Sequence, residues 1–302
     1  MPFRTVTILG CGDLGTSILA GLMGCDDDSS LASTRYIAYV RSQASARRIQ
    51  ATIDPASTAA SRLTTVYGGD VLSAVGPADV VILACKPADA PALLQAPGVA
   101  ATLRGKLIVS VLGGVPASRI ISTLDEAATD VCPHRGGSYA VLRAIPNVAA
   151  RVRASTTIVE QRPGVCSRDN EAVLALFGKL GHVELVPEAL MDPATALCAS
   201  GPAFAALMLE TMAQGATNMG FDAEAALRMA TGAMRGTIAL VLAGEDPARV
   251  RETVTTPNGA TARGLAMLHE SGAVISLQEA LKETAHAMRT KHVVTAEEAA
   301  GN

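Results

Sequence analysis

Gly10-Cys11-Gly12-Asp13-Leu14-Gly15 follows the apolar run Val6-Thr7-Ile8-Leu9 and opens a helical pattern, the order a dinucleotide site requires. Gly10 permits a tight turn, Gly12 lets the backbone approach a diphosphate, and Gly15 lets the helix pack closely on the strand. Asp13 and Leu14 lie in the first helical turn, where unpaired N–H groups and the positive end of the helix dipole face an anion. Leu14, Ile18, Leu19, Leu22 and Met23 share one helical face, so an amphipathic helix follows the turn directly.

The residues after the next strands bear on which dinucleotide binds. The second strand ends Ala38-Tyr39-Val40 and is followed by Arg41-Ser42, with no carboxylate there to accept a ribose 2′-hydroxyl. An arginine in that place favours a 2′-phosphate through charge-assisted bonds, with Ser42 as a further donor, so NADPH is expected and NADH stays possible. Arg47 and Arg48 read as surface charges on the following helix. Ala84-Cys85-Lys86-Pro87 ends another strand and faces the same crevice; Lys86 either touches the cofactor or caps its loop. Cys85 reads as a small buried hydrophobe rather than a nucleophile. Asn147, in Ile145-Pro146-Asn147, either bonds the nicotinamide amide or is a turn residue. Far along the chain, Thr255-Thr256-Pro257-Asn258-Gly259-Ala260-Thr261 precedes a helix and offers backbone N–H groups to a carboxylate, or is an ordinary capped turn.

The elements that position these residues alternate in the first half of the chain. β-rich runs at Tyr36–Val40, Leu63–Tyr67, Asp79–Ala84, Lys106–Val111 and Tyr139–Arg143 are separated by helical or turn-rich segments. That rhythm predicts a doubly wound parallel sheet. The acidic Asp26-Asp27-Asp28 run and the segment from Ala127 to Gly137 read as surface loops. After Gln161-Arg162-Pro163-Gly164, long helical patterns dominate, broken at Pro187, 220–222, 244–247 and 257–259. The expected fold is thus α/β followed by all-α, with a dinucleotide domain at 1–162 and a helical domain at 163–302. Ala203–Ala213 is apolar almost all round and calls for burial, most simply against another subunit.

Composition narrows the function. Of 302 residues 3% are aromatic and none is Trp, and the net charge is −3; both argue against a nucleic-acid binder. No uninterrupted apolar run approaches the ~20 residues of a membrane span. The strand that starts within a few residues of the N-terminus leaves no room for a signal peptide. Six scattered cysteines read as free thiols, giving a cytoplasmic expectation. No histidine pair stands at ligand spacing, so no metal is expected.

Taken together, these motifs resemble those of the pyrroline-5-carboxylate reductase family. The glycine turn, Ala84-Cys85-Lys86-Pro87 and Ile145-Pro146-Asn147 match its cofactor signatures. More specifically, Thr195-Ala196-Leu197-Cys198-Ala199-Ser200-Gly201-Pro202-Ala203-Phe204 resembles its T-A-L-S-G-S-G-P-A-Y block, and Val254–Thr261 resembles V-[ST]-S-P-G-G-[TA]-T. The resemblance implies a Rossmann-type domain, a helical domain interleaved in a homodimer or higher oligomer, and reduction of a cyclic imino acid by NADPH or NADH. It also implies that backbone N–H groups of Asn258, Gly259 and Ala260 hold the substrate carboxylate beside Thr256. The Thr261 hydroxyl would stand near the imine nitrogen as the catalytic group. Asn258, Ala199, Phe204 and Thr253 depart from the family pattern. The six-membered piperideine carboxylate therefore stays open as substrate beside the five-membered pyrroline. A β-hydroxyacid-type dehydrogenase would want a lysine on an interdomain helix, and 167–219 supplies only Lys179. A protein that binds NADP(H) without turnover is the non-enzymatic alternative.

Overall fold

Val80-Val81-Ile82-Leu83 has no polar side chain to offer to water, so its strand has to be covered on both faces. The computed structural model, which describes residues 3–24, 33–53, 58–69, 71–128 and 139–300, buries all four completely or nearly so. The strands are β1 (Thr5–Leu9), β2 (Arg35–Val40), β3 (Leu63–Tyr67), β4 (Val80–Leu83), β5 (Leu107–Ser110), β6 (Ala140–Ile145), β7 (Ser155–Gln161) and β8 (Gly181–Pro187). They form one sheet in the order β3-β2-β1-β4-β5-β6-β7-β8. β1 to β6 are parallel, β7 runs antiparallel to β6, and β8 runs parallel to β7 from Ser155 opposite Gly181 to Gln161 opposite Pro187. The strand order reverses at β1 and β4, which opens a crevice at the carboxyl ends of those strands.

Helices cover the two faces. They are α1 (Asp13–Met23), α2 (Gln43–Thr52), α3 (Val71–Val75), α4 (Ala90–Leu94), α5 (Val99–Leu103), α6 (Ala117–Ala127) and α7 (Ser167–Gly178). Ile18, Leu19 and Leu22 of α1, Ile49 of α2 and Phe177 of α7 pack on Val6, Ile8, Tyr36, Ile82 and Val109. On the other face Val75, Leu94, Leu103, Ile120 and Leu124 pack on Leu9, Ile37, Val81, Leu83 and Ile108. The alternation of partners along each strand explains why both parities are apolar. α8 (Met191–Cys198) closes the far end, with Met191 buried against Ile145 and Ile158.

Two expectations shift here. The chain divides into one compact unit of residues 1–199 with 285–302 and another of 200–284, rather than at 162/163. The reason is β8, whose pairing with β7 carries the sheet past the expected boundary; its Val183, Leu185 and Val186 were hidden among helical patterns. The second unit holds α9 (Gly201–Asn218), α10 (Ala223–Leu242), α11 (Pro247–Thr253), α12 (Ala260–Glu270) and most of the first half of α13 (Ala273–Ala300). Glu188–Asn218 and Ala223–Leu242 are helical, and long and apolar enough to cross a membrane by length and composition. Counting uninterrupted runs missed them, because Glu210 and Gln214 break the run in α9 without lowering its average much. The acidic run at 26–28 and most of the expected excursion, residues 129–137, lie outside the described residues.

One polar pair sits within the first unit's core. Arg143 on β6 stands opposite Glu160 on β7, with Nη1 3.7 Å from Oε2 and both side chains under 5% exposed. Arg143 Nε and Nη2 and Glu160 Oε2 make no hydrogen bond. Burial pushes the Glu160 carboxyl above its usual range while Arg143 pulls it back. Burial lowers the Arg143 guanidinium, against the charges of Glu160, Asp192 and Glu188. A carboxyl raised in the folded state binds protons more readily there than in the unfolded chain, so its effect on stability becomes less favourable as pH rises through the folded value. Arg143→Ala is expected to cost about 3–5 kcal/mol by leaving the carboxylate unpaired. Arg143→Met with Glu160→Leu should recover most of that loss and remove the decline in stability with rising pH, as read from urea unfolding curves between acidic and neutral pH.

Candidate functional site

The carboxyl ends of β1, β2, β4 and β5 converge on an open cleft of about 990 Å³. Its floor is the glycine turn. Gly10 has φ +87° and packs so closely on Cys85 that a Cβ there would overlap the Cys85 backbone. A Cβ on Gly15 would press on Gly10 O at 3.1 Å and Ala84 Cβ at 3.3 Å, which ties α1 to the sheet. Gly12 is different. A Cβ there meets nothing within 4 Å, so the open side of this residue is available to a ligand. Gly12 is also the N-cap of α1 with no side-chain cap, which leaves the first N–H groups of the helix to an outside acceptor. Such a turn fits a dinucleotide diphosphate.

The cleft walls carry the other expected residues. Arg41 and Ser42 follow β2, and Ala84, Lys86 and Pro87 follow β4. Arg41 Nη1 stands 3.6 Å from Asp89 Oδ1 on the opposite wall, and its side chain is 77% exposed. Ser42 caps α2, its Oγ accepting from Ser45 N at 3.2 Å and lying 3.1 Å from Ser45 Oγ. Lys86 is exposed, and its carbonyl accepts from Asp89 N in the short turn at Pro87–Asp89. The adjacent thiols are not nucleophiles: burial pushes Cys11 up to about 12, and burial with the Asp89 charge pushes Cys85 up to about 11. Both stay protonated at neutral pH.

Asn147 does not join this lining. It is buried, its Oδ1 accepts from Ala149 N at 2.9 Å, and its Nδ2 donates to Cys198 O at 2.9 Å. Its own N–H donates to Ser155 Oγ at 3.0 Å. The side chain thus ties the end of β6 to the end of α8, as the turn-residue alternative requires. Arg48 is the reverse case. Expected as a surface charge, it lines the cleft and reaches the glycine turn, donating to Asp13 Oδ1 at 2.8 Å and to Cys11 O at 3.1 Å. No pattern in the sequence distinguishes it from the neighbouring Arg47; its contact with the glycine turn depends on where α2 packs.

In the second unit, Thr256-Pro257-Asn258-Gly259 forms a tight turn in which Gly259 N donates to Thr256 O at 3.0 Å. Proline presets the second position, and Asn258 takes φ +59° at the third, the signature of a type II turn. Asparagine tolerates this left-handed backbone, so the turn keeps its geometry without the family's glycine. Gly259 then N-caps α12 with no side-chain cap, and a Cβ there would overlap Thr256 Oγ1. The expected carboxylate cradle changes in one respect: the Gly259 N–H is engaged within the turn. The N–H groups of Ala260 and Thr261, in the first turn of α12, have no acceptor within the helix. Thr261 itself is exposed.

Among the described residues no group of three or more His, Cys, Asp and Glu side chains is placed to hold a metal ion.

Comparison with known proteins adds the following. Residues 188–291 match the family model described as pyrroline-5-carboxylate reductase dimerisation, and residues 5–114 match that described as NADP oxidoreductase, coenzyme F420-dependent. A pyrroline-5-carboxylate reductase of Lophium arboricola is 37% identical over 294 residues, covering 92% of this chain and 90% of that protein. One of Neurospora crassa is 35% identical over 302 residues, with coverage of 92% and 90%. The crystal structure of Plasmodium falciparum pyrroline carboxylate reductase with NADP bound superposes with a TM-score of 0.78 at 19% identity, covering 96% of this chain and 99% of that one.

If Arg41 meets a 2′-phosphate, Arg41→Ala should weaken NADP⁺ binding about tenfold, equivalent to about 1.4 kcal/mol, and leave NAD⁺ within about twofold. Isothermal titration calorimetry with both dinucleotides measures this, and equal losses would show that Arg41 does not read the phosphate.

Proposed function

This chain belongs to the pyrroline-5-carboxylate reductase family, and from that premise we propose that it reduces the C=N bond of Δ1-pyrroline-5-carboxylate with NADPH to give L-proline. The observation that carries the reading is the pairing, within one chain, of the glycine turn at Gly10–Gly15 with the turn at Thr256–Thr261, each opening a helix that has no side-chain cap.

Bound in the cleft, the dinucleotide supplies a hydride from its nicotinamide. The chain's own residues do the rest. Gly12 and the first turn of α1 would take the diphosphate and Arg41 and Ser42 the 2′-phosphate, with Lys86 and Pro87 in the same cleft lining. The N–H groups of Ala260 and Thr261 hold the substrate carboxylate at the positive end of α12, with Asn258, Gly259 and Thr256 shaping that turn. A C=N carbon accepts hydride best when nitrogen is protonated, because the electron pair released to nitrogen then neutralises an existing charge. The product of that addition is the neutral ring amine, and no further proton is needed. The Thr261 hydroxyl accepts a hydrogen bond from the iminium N–H, orienting the ring face. Where the imine arrives neutral, the same hydroxyl relays one proton from water to nitrogen. No covalent intermediate with the protein is involved.

The exposed apolar helices support a homodimer. α9 has no buried residue, yet Leu207, Met208 and Met212 are apolar and 39–60% exposed. Both membrane-length helical stretches fall within residues 188–291, where the dimerisation model matches, so a second subunit is the proposed cover. The thiols of Cys11, Cys85, Cys166 and Cys198 are free, which supports the proposed cytoplasmic setting.

NADPH oxidation measured in parallel with the pyrroline and the piperideine carboxylate tests the activity. The five-membered imine is expected to give the higher kcat/KM; consumption of the six-membered ring alone would reassign the substrate, and of neither would end the reductase reading. Thr261→Ala is expected to lower kcat by about 100-fold with NADPH affinity within about twofold. Sedimentation should show a dimer or larger assembly, which Leu207→Glu with Met212→Glu shifts toward monomer.

A further inference from the structure

Asp13 is an unexpected neighbour for a diphosphate. It is the first residue of α1, directly after the Gly12 cap, and its side chain is 90% exposed. Without a ligand a carboxylate there is favourable, since it answers the positive end of the helix dipole. With a diphosphate bound it becomes a like charge within the same first turn. Arg48 is placed to resolve this. From α2 it donates one guanidinium nitrogen to Asp13 Oδ1 at 2.8 Å and the other to Cys11 O at 3.1 Å, so a single fork grips two residues of the turn. Both residues line the cleft, together with Gly12 between them in sequence.

We infer that Arg48 is a positioning residue for the cofactor's diphosphate: it neutralises Asp13, holds that carboxylate to the side of the helix axis, and fixes the Cys11 carbonyl so that the Gly12 backbone presents its open side. Arg48 thereby acts on the part shared by NADPH and NADH, whereas Arg41 acts on the 2′-phosphate. The inference rests on the dinucleotide reading of the cleft given above. It assigns an electrostatic purpose to a pair that, as an exposed ion pair, contributes little to folding.

The experiment is a double-mutant cycle on the full chain, with Kd for NADP⁺ and NAD⁺ measured by calorimetry and the thermal midpoint of each protein recorded without ligand. Arg48→Ala is expected to weaken both dinucleotides by a similar factor, about tenfold, with a midpoint near that of the unaltered chain. Asp13→Asn should bind both at least as tightly as the unaltered chain. The double variant Arg48→Ala, Asp13→Asn should return to within about threefold of it, because removing the carboxylate removes the need for the arginine. Arg48→Gln, which keeps a donor but no charge, should fall with Arg48→Ala and be rescued by the same second change.

Loss of NADP⁺ affinity alone would make Arg48 a reader of the 2′-phosphate and overturn the inference. So would affinities unchanged in Arg48→Ala, or a loss that Asp13→Asn does not repair. If the unaltered chain binds neither dinucleotide, the cofactor reading itself fails and takes this one with it. Binding by the unaltered chain with no effect of Arg48→Ala sinks the inference alone.

Discussion

The cofactor cleft depends on one close approach, that of the Gly10 backbone to the backbone of Cys85. The two segments end adjacent parallel strands, β1 and β4, whose connections leave toward opposite faces of the sheet. A side chain at Gly10 would push the turn off Cys85, and with it the start of α1. Gly15 then fails as well, because its contact with Gly10 O and Ala84 Cβ presumes that the turn is seated. The proposed diphosphate site would therefore be a by-product of packing, since the glycines let the chain fold inward and leave the helix start uncapped.

The same logic governs the second unit at smaller scale. The turn before α12 needs a left-handed residue at its third position, and Asn258 meets that need with φ +59°. Pro257 fixes the preceding dihedral, and Gly259 leaves room for Thr256 Oγ1. What emerges is a helix N-terminus without a side-chain cap, as at Gly12. Two anion-ready helix starts at opposite ends of the chain suit a reaction whose cofactor is a phosphate ester and whose substrate is a carboxylate. Asn258 differs from the glycine of the family pattern in adding a polar side chain beside such a helix start.

Much of the cofactor unit was legible because β1, β2, β4, β5 and β6 are buried on both faces and so read as largely apolar runs. Leu63–Tyr67 coincides with β3, and the other four expected runs lie within two residues of theirs at each end. β8 was not legible: its faces are half exposed, its alternation is short, and it sits between α7 and α8, where a helical rhythm dominates. The unit boundary moved with it. At the level of the site, residue types told which groups stand after which strand but not which way a side chain turns. Asn147 has the chemistry to bind an amide, yet its amide bridges Ala149 and Cys198. Arg48 looks like any helix-surface arginine until α2 is folded back beside the glycine turn.

The arrangement of charge in the cleft also bears on how a preference for NADPH would arise. Arg41 and Arg48 each face a carboxylate from another segment, Asp89 and Asp13. A 2′-phosphate at Arg41 would have to compete with Asp89, and the largely exposed Arg41 with its loose 3.6 Å pair would yield readily. The Arg48–Asp13 pair is shorter and carries a second bond to Cys11 O, so it resists exchange and serves better as a fixed part of the turn. On the proposed reading, two arginines seven residues apart, one just after β2 and one on α2, would divide the cofactor between them. The looser one would then discriminate between dinucleotides, and the tighter one would keep the site open to either.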